Sequence, residues 1–195
     1  MYLVSFFVQA YNIGVNIWAF QFAKALASPA LTQIMAVIGK SFLVVIPFLV
    51  LYLYFIKKDS NVYTFIVAGI LFYIVSDAIK LLTKEPRPCN VSELSWINTN
   101  GCESSFSFPS NHASVLTGLT FFLGKYRYLQ IAYIVWLFMV LFGRVYLGLH
   151  YFTDVIAGMA LSMIMYYIIS KYKSRINRLL NNIIKRVLPK LALKD

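Results

Sequence analysis

The sequence predicts an all-α protein, a polytopic membrane helical bundle of five transmembrane helices with amphipathic helices at both termini. Of the 195 residues, 60% are apolar and 13% are charged, whereas soluble domains are about 45–50% apolar and about 25% charged. The mean hydropathy is +0.71. Several apolar runs also approach the length of about 17–25 residues that crosses a bilayer. These observations exclude a disordered chain, a soluble nucleic-acid-binding protein and an ordinary cytosolic enzyme.

The apolar runs and the basic segments between them predict a topology. The predicted spans are 33–56, 62–82, 129–147 and 152–170, with a shorter fifth run at about 110–124. If all five cross, the basic segments 57–58 and 125–127 and the tail after 170 fall on one side, and short basic loops mark the cytoplasmic face. We therefore expect a multi-pass protein of the cell (plasma) membrane with a cytoplasmic C-terminus. This placement accounts for the net charge of +11 without a nucleic-acid partner.

The two ends of the chain are predicted to be amphipathic. Residues 2–27 precede Pro29 and predict an interfacial helix, or a sixth span, with a polar stripe at helical spacing formed by Ser5, Gln9, Asn12 and Asn16. Residues 175–188 place apolar side chains at i, i+3, i+4, i+7 and basic ones opposite, which is typical of a helix bound to anionic lipids on the cytoplasmic leaflet. A solvated helix at a dimer contact is the alternative. The chain thus divides into 1–30, a membrane-embedded domain at 31–171 and a basic tail at 172–195.

Ionisable side chains at the membrane occur in three segments. They lie at Lys80–Pro88, Ser107–His112 and Gly143–Asp154, and together they include both histidines of the chain. All three segments fall on the predicted extracytoplasmic side. Because charged groups in or beside a bilayer are costly and mark functional positions, we expect these segments to form one site.

The cations of these segments favour an anionic ligand. Lys80, Arg87 and Arg144 reach one membrane face without matching local carboxylates, and the arginine fork suits phosphate oxygens. Ser110 and the backbone N–H groups at 110–112 stand where a helix begins, which is also a favourable position for an anion. Asp77, three residues before Lys80, is expected to pair with that lysine. The segments therefore predict a phosphate site.

The histidines supply reactive groups for that site. His150 and Asp154 are four residues apart, so a helix would place them on one face. A carboxylate in this position fixes the tautomer of an imidazole and stabilises its cationic form. Such a histidine can attack phosphorus. His112 comes from another segment and could protonate the departing oxygen.

These residues resemble the signature motifs of the type 2 phosphatidic acid phosphatase superfamily of membrane lipid phosphatases, which are K-x6-R-P, P-S-G-H and S-R-x5-H-x3-D. The motifs here read Lys80…Arg87-Pro88, Pro109-Ser110-Asn111-His112 and Gly143-Arg144…His150…Asp154. With their spans they cover about 35–170. Asn111 replaces the usual glycine and adds a polar group near the phosphate. Gly143 replaces serine and removes a hydroxyl beside Arg144.

The resemblance implies a helical bundle that hydrolyses phosphate esters through a phosphohistidine, without a metal or another cofactor. It assigns His150 as the nucleophile, Asp154 as the residue that orients it and His112 as the general acid. The implied phosphoryl ligands are Lys80, Arg87, Ser110 and Arg144.

The outer loop at 83–109 contains both cysteines, Cys89 and Cys102. An oxidising exterior permits a disulfide between them, whereas two thiols without nearby histidines are too few ligands for a metal. Asn90 begins a glycosylation sequon in the same loop. We therefore expect a disulfide here.

The expected function is the hydrolysis of a polyprenyl diphosphate, such as undecaprenyl or dolichyl diphosphate, on the extracytoplasmic side. The short N-terminal helix before the first conserved span resembles the bacitracin-resistance type of polyprenyl diphosphatase. A phosphatidate or phosphatidylglycerophosphate phosphatase is the alternative within this class, because the motifs recognise only the shared phosphoryl group. A lipid phosphotransferase and a small ion or phosphate transporter are alternatives from other classes. The absence of duplicated halves in the sequence argues against the transporter.

Overall fold

A computed structural model of the chain describes residues 14–90, 102–189 and 193. These residues form helices joined by turns and contain no strand, which confirms the all-α prediction. The helices are α1 (Gly14–Ala25), α2 (Pro29–Lys40), α3 (Phe42–Leu51), α4 (Asn61–Thr83), α5 (Asn111–Thr120), α6 (Arg127–Tyr146) and α7 (Phe152–Val187). A π-helical turn at Tyr52–Ile56 extends α3, and 3₁₀ turns follow α4 at Pro88–Asn90 and α5 at Phe121–Leu123.

Four helical segments of the described chain are long and apolar enough to cross a membrane. They are Pro29–Ile56, Asn61–Asn90, Arg127–Tyr146 and Phe152–Val187. The first combines α2 and α3, between which the Ser41 hydroxyl donates to the carbonyl of Ile38 at 2.6 Å. These segments correspond to four of the five predicted spans. The protein is therefore an integral membrane protein.

The fifth predicted span, 110–124, joins the two ends of the bundle as predicted, but it is shorter than the other four. It contains α5, whose 10 residues extend only about 15 Å, followed by one 3₁₀ turn. α5 packs against α4, α6 and α7 and is largely buried, so it is an internal helix of the bundle. Small side chains allow this burial. At Gly118, for example, an added Cβ would lie 2.3 Å from the ring of Phe72 on α4.

α5 and α7 make their closest approach at Gly158. A Cβ at this position would lie 2.7 Å from the carbonyl oxygen of Ser110 and 2.9 Å from the Cβ of Ala113. Contacts below 3.0 Å are essentially absent from real structures, so only glycine lets the two helices cross at this distance. The crossing lies within one turn of His112 on α5 and of Asp154 on α7.

The basic loops 57–58 and 125–127 meet at one end of the bundle, opposite the end that holds His112 and Asp154. Asp59 Oδ2 accepts from the Tyr126 hydroxyl at 2.8 Å and from Lys125 Nζ at 3.4 Å. The Lys57 ammonium lies 5.5 Å from the centre of the Tyr126 ring. The two loops therefore share one end of the bundle, as the charge pattern predicts.

α7 continues past residue 171, where the basic tail is predicted to begin. It is a single helix of 36 residues, about 54 Å long, because neither glycine nor proline interrupts it between Gly158 and Pro189. The basic stretch 175–188 is thus the continuation of the last span and not a separate helix. Asn177 Oδ1 accepts from the backbone N–H of Thr64 at 3.1 Å, and Asn181 accepts from the Tyr63 hydroxyl at 3.2 Å. Binding of anionic lipids by this stretch stays a prediction.

The N-terminal expectation is described only from Gly14 onward, because residues 1–13, with Ser5, Gln9 and Asn12, lie outside the described residues. Asn16 is buried. Its side chain donates to Thr153 Oγ1 at 3.1 Å and accepts from the Thr153 backbone N–H at 3.1 Å. This member of the predicted polar stripe therefore fastens α1 to the start of α7.

Candidate functional site

The three polar segments converge at the end of the bundle opposite the basic loops. A cavity of about 290 Å³ lies there, lined by the second half of α4, the start of α5, the start of α3, the irregular segments on either side of the disulfide and the turn before α7. Its wall includes the predicted residues Lys80, Arg87, Asn111, His112 and His150. Ser110 and Arg144 are not part of this wall.

His150 stands between Asp154 and Arg87. Its Nδ1 is 3.4 Å from Asp154 Oδ2, and its Nε2 is 3.1 Å from Arg87 Nη1. Because a guanidinium can only donate, Nε2 must be the accepting nitrogen, and the proton of a neutral ring must lie on Nδ1. The arrangement therefore gives the tautomer in which Nδ1–H faces Asp154 and the Nε2 lone pair faces the arginine.

Electrostatics keep this imidazole neutral. His150 is 1% exposed. Its burial, together with the positive charges of Arg87 and Arg144, holds the pKa of His150 well below its ordinary value. The Nε2 lone pair is therefore available at neutral pH.

Asp154 is held by two further donors. Its Oδ2 accepts from the backbone N–H of Tyr151 at 2.8 Å and from the Ser107 hydroxyl at 2.5 Å. Ser107 begins the second of the three predicted segments, but the sequence analysis assigns it no role. It stands two positions before the second motif, and no pattern in the sequence marks it. The start of α7 and the segment before α5 thus fix the carboxylate together.

Lys80 and Arg87 are held by backbone carbonyls. Lys80 Nζ donates to the carbonyls of Phe106 and Ser107, each at 2.8 Å. Arg87 donates from Nε to the carbonyl of Ser105 at 2.8 Å and from Nη1 to that of Leu149 at 2.6 Å. Both side chains are 2% exposed. These bonds fix the two cations without neutralising their charge.

The expected pairing of Asp77 with Lys80 is wrong. Asp77 Oδ1 accepts from Asn111 Nδ2 at 3.3 Å, and Asn111 Oδ1 accepts from the Ser76 hydroxyl at 2.7 Å. Lys80 instead donates hydrogen bonds to the carbonyls of the segment before α5. Asn111 therefore links the start of α5 to α4.

The second motif begins α5. Ser110 is the N-cap residue, whose hydroxyl accepts from the Ala113 N–H at 3.4 Å, and its own N–H donates to the carbonyl of Asp154 at 3.1 Å. His112 packs edge-on against Phe42, with ring centres 4.6 Å apart. Its Nε2 is buried and has no hydrogen-bond partner among the described residues. Such a nitrogen, in a residue of the cavity wall, is placed to exchange a proton with a ligand.

The two departures from the motifs are accommodated by the fold. Asn111 has a helical backbone, and the described non-glycine residues with positive φ are Lys58 and Lys84. The turn therefore does not require glycine at 111. A Cβ at Gly143 would lie 3.4 Å from the carbonyl oxygen of Met35, so a side chain there would contact α2.

Glu103 is a carboxylate partner of two of the cations that comes from a separate segment and that the sequence analysis does not identify. Its Oε2 is 2.7 Å from Arg87 Nη2, and its Oε1 pairs with Arg144 Nη2. Burial alone would raise the pKa of Glu103, but Arg144 and Arg87 outweigh it and hold that pKa below the ordinary value. The sequence did contain a signal, because Glu103 follows Cys102, and the expected partner Cys89 lies two residues after Arg87.

The predicted disulfide is confirmed. Cys89 and Cys102 are bonded, with Cα atoms 5.8 Å apart. The Cys89 N–H donates to the carbonyl of Gly148 at 2.9 Å. The bond thus ties the Glu103 segment to the turn before His150. The part of the chain that the structure describes contains no group of three His, Cys, Asp or Glu residues able to hold a metal, and the expectation of a cofactor-free enzyme stays a prediction.

Removing the disulfide should destabilise the protein more than it slows turnover. We expect the double variant Cys89→Ala/Cys102→Ala to lose on the order of 3 kcal/mol of unfolding free energy, since the bond constrains the unfolded chain. Neither cysteine belongs to a phosphate motif, so most of the activity should remain at low temperature. Thermal unfolding with and without reductant measures the effect, and the double variant should not respond to reductant. Free thiols in wild-type protein folded under oxidising conditions would contradict the prediction.

Three curated proteins resemble the chain. Phosphatidylglycerophosphatase B of Bacillus subtilis is 36% identical over 88 residues, which are 39% of this chain and 43% of the relative. Lipid A 4'-phosphatase of Bacteroides thetaiotaomicron is 34% identical over 101 residues, 46% of this chain and 45% of the relative. Undecaprenyl-diphosphatase of Sulfolobus acidocaldarius is 26% identical over 151 residues, 75% of this chain and 73% of the relative. The first two alignments thus span less than half of each relative.

Two crystal structures share the fold. One is the transmembrane PAP2-type phosphatidylglycerolphosphate phosphatase of Bacillus subtilis, with a TM-score of 0.64 and 24% identity over 89% of this chain and 95% of that one. The other is LpxE of Aquifex aeolicus, with a TM-score of 0.70 and 22% identity over 82% of this chain and 97% of that one. At these identities the likeness concerns the fold.

The sequence of the chain matches a known family over most of its length. A sequence model of the PAP2 superfamily matches residues 61–178, which is more than half of the chain. The matched segment contains the three motifs in order, and their side chains meet at one end of the bundle. The chain belongs to the PAP2 superfamily.

Proposed function

We propose that the protein is a membrane lipid phosphatase that hydrolyses a polyprenyl diphosphate to the monophosphate through a phosphohistidine. The observation that carries the proposal is an apolar groove of about 360 Å³ that adjoins the phosphate cavity. Phe42, Gly69, Val115 and Leu116 line both spaces. A lipid can therefore place its phosphate among the cations while its chain stays among apolar side chains.

The groove lies between α3 and α4, with α5 as its floor. Ile46 and Val50 line it from α3, Ile66 and Ile70 from α4, and Leu119 from α5. It is almost entirely apolar and open at the side of the bundle, where a bilayer would surround it. An isoprenoid or acyl chain fits this chemistry, whereas the headgroup of a soluble phosphate ester would leave the groove empty.

The proposed reaction proceeds in two displacements. In the first, His150 Nε2 attacks phosphorus, the bond from phosphorus to the leaving oxygen breaks, and His112 gives that oxygen a proton. Burial and the charges of Arg144, Arg87 and Lys80 lower the pKa of free His112 to about 3, so His112 receives this proton when the anionic substrate binds and raises that pKa. Lys80 and Arg87 neutralise the phosphoryl oxygens, and Asp154 stabilises the positive charge on the phosphorylated ring. In the second, His112 takes a proton from water, the resulting hydroxide attacks phosphorus, and the P–N bond breaks to return His150 and release inorganic phosphate.

The choice of a polyprenyl diphosphate is supported by one relative above all. The undecaprenyl-diphosphatase of Sulfolobus acidocaldarius aligns with 75% of this chain, the largest share among the three relatives. Phosphatidylglycerophosphate is the second candidate, because a relative that carries this activity in its name is 36% identical over 88 residues. The cavity residues contact only a phosphoryl group and do not separate the two substrates.

The decisive experiment is a substrate panel. Purified protein in mixed micelles with EDTA should release phosphate from undecaprenyl diphosphate with a higher kcat/KM than from phosphatidylglycerophosphate, phosphatidate or a lipid A phosphate. A higher value for phosphatidylglycerophosphate would select the second candidate. Loss of all activity in EDTA would contradict metal-independent chemistry. Transfer of the phosphoryl group to a lipid or sugar without phosphate release would indicate a phosphotransferase.

His112 is expected to act on the leaving group. The variant His112→Ala should slow hydrolysis of a lipid phosphate at least about 100-fold, a usual contribution of general acid catalysis. It should slow a nitrophenyl phosphate much less, because an acidic phenol leaves without protonation. Comparing kcat for the two substrates in wild type and variant measures the difference. Equal losses for both would contradict the role of general acid.

The proposed sidedness follows from the charge pattern and places the cavity on the extracytoplasmic side. Single-cysteine labels can test it in a Cys89→Ala/Cys102→Ala background. An impermeant thiol reagent should label a cysteine at Asn98, in the outer loop, in intact cells. A cysteine at Tyr128, which is 90% exposed at the basic end, should label only in inverted vesicles. The reverse pattern would invert the topology.

A further inference from the structure

We propose that Glu103 is a specificity-determining residue that competes with the phosphoryl group for Arg87 and Arg144. In the free enzyme its carboxylate occupies both arginines, and a ligand must displace it to bind. A terminal phosphate of two negative charges can do so, whereas the singly charged phosphodiester of an ordinary membrane phospholipid cannot. The inference rests on the proposed function, since it concerns the same phosphate site.

The contacts of Glu103 imitate those of a bound phosphate. One carboxylate oxygen meets Arg87 Nη2 at 2.7 Å, and the other meets Arg144 Nη2. Guanidinium groups bind carboxylate and phosphate oxygens with the same donor geometry. The carboxylate thus joins the arginine of the first motif to the arginine of the third. A phosphoryl group that uses these two donors cannot share them with Glu103.

Glu103 is the partner that is free to leave. The side chains of Arg87 and Arg144 are 2% and 5% exposed, whereas that of Glu103 is 43% exposed. Arg87 has further bonds to the carbonyls of Ser105 and Leu149 that hold it in place. Glu103 lies on an irregular segment between the disulfide and α5, and both arginine contacts are made by its carboxylate alone. Rotation of one side chain therefore opens the site.

The competition selects by charge. Glu103 is ionised at neutral pH, because the two arginines hold its pKa below the ordinary value, and the disulfide keeps it next to the site at a high effective concentration. A monoanionic phosphodiester gains no more from the arginines than the carboxylate does. A dianionic phosphoryl group gains more. In a membrane of bulk phospholipid, Arg87 and Arg144 therefore remain available to bind terminal phosphate groups.

Neutral variants of Glu103 test this inference by the direction of the change. Dissociation constants for inorganic phosphate are measured by calorimetry on wild type, Glu103→Gln and Glu103→Ala in detergent. Removing the competitor should tighten phosphate binding about tenfold, since the apparent affinity of the wild type is reduced by the fraction of molecules whose site is closed. Phosphatidylglycerol added to the micelles should weaken phosphate binding to both variants and leave phosphate binding to the wild type unchanged. A purely structural role would weaken phosphate binding instead, so unchanged or weaker binding overturns the inference.

Asp77→Asn is the matched control. Asp77 lines the same cavity, but it contacts Asn111 and neither arginine, so the variant changes the charge of the cavity equally without removing the competitor. An equal gain in phosphate affinity in Asp77→Asn would show a general charge effect and overturn direct competition. Because phosphate binding is measured without turnover, a failure of the lipid panel with tighter binding in Glu103→Gln would reject the proposed function and retain this inference.

Discussion

Replacing His150 by alanine should reduce phosphate release to the background rate while the protein still folds. The variant removes the nitrogen that we expect to form the bond to phosphorus, and no other imidazole contacts Asp154. Folding should survive, because Asp154 keeps its bonds to the Tyr151 N–H and the Ser107 hydroxyl. Phosphate release from the best lipid of the panel measures turnover, and thermal unfolding measures folding.

The phosphorylated intermediate provides a second readout for His150. Wild-type protein quenched during turnover of a radiolabelled lipid phosphate should carry an acid-labile, alkali-stable label, and the alanine variant should carry none. The low pKa of His150 also means that its active, unprotonated form persists as the pH falls below about 6.5. Activity limited by this group should therefore decline only in more acidic solution. A folded His150→Ala protein with wild-type phosphate release would contradict the assignment.

The variant Asp154→Asn should lower kcat about 10⁴-fold, the size of the effect when an orienting aspartate of a histidine is made neutral. The amide can keep the bonds to Ser107 and Tyr151 through its oxygen, so the fold should be retained. It cannot balance the positive charge that forms on the ring when Nε2 bonds to phosphorus. KM should change little, because Asp154 acts through His150.

Ser107→Ala is the control for Asp154. It removes one hydrogen bond to the carboxylate and leaves the negative charge, so we expect a loss of kcat far below that of Asp154→Asn. Measuring kcat and KM separately for both variants distinguishes charge from positioning. Equal losses of kcat in the two variants would mean that geometry, and not charge, is the contribution of Asp154.

Spacing along the sequence was sufficient to predict which motif residues share one end of the bundle. His150 and Asp154 are one helical turn apart, and the apolar runs brought Lys80, Arg87 and His112 to the same side. Spacing along the sequence could not predict contacts between distant segments. The bond from Ser107 to Asp154 spans 47 residues and depends on how α5 meets α7, which no local pattern encodes.

The differences between the predicted and the observed structure have physical causes. The predicted pairing of Asp77 with Lys80 rested on their closeness in sequence. In the structure the lysine instead donates to two backbone carbonyls of the segment before α5. The run at 110–124 joins the two ends of the bundle as predicted, but protein encloses it, and apolarity alone does not distinguish enclosure from contact with lipid. The predicted boundary at 171 marks a change of composition, and the helical backbone of α7 continues across it because no glycine or proline interrupts the helix there.

The close crossing of α5 and α7 at Gly158 makes the catalytic end of the protein more rigid than the groove that receives the lipid chain. His112 and Asp154 are each within one turn of a contact that leaves no room for a methyl group, so the two helices that carry them move together. The walls of the groove, α3 and α4, face the bilayer and have no such contact between them in the described residues. Lateral pressure and bilayer thickness therefore act on the entry of the lipid chain, and a change of membrane composition should alter KM while kcat remains constant.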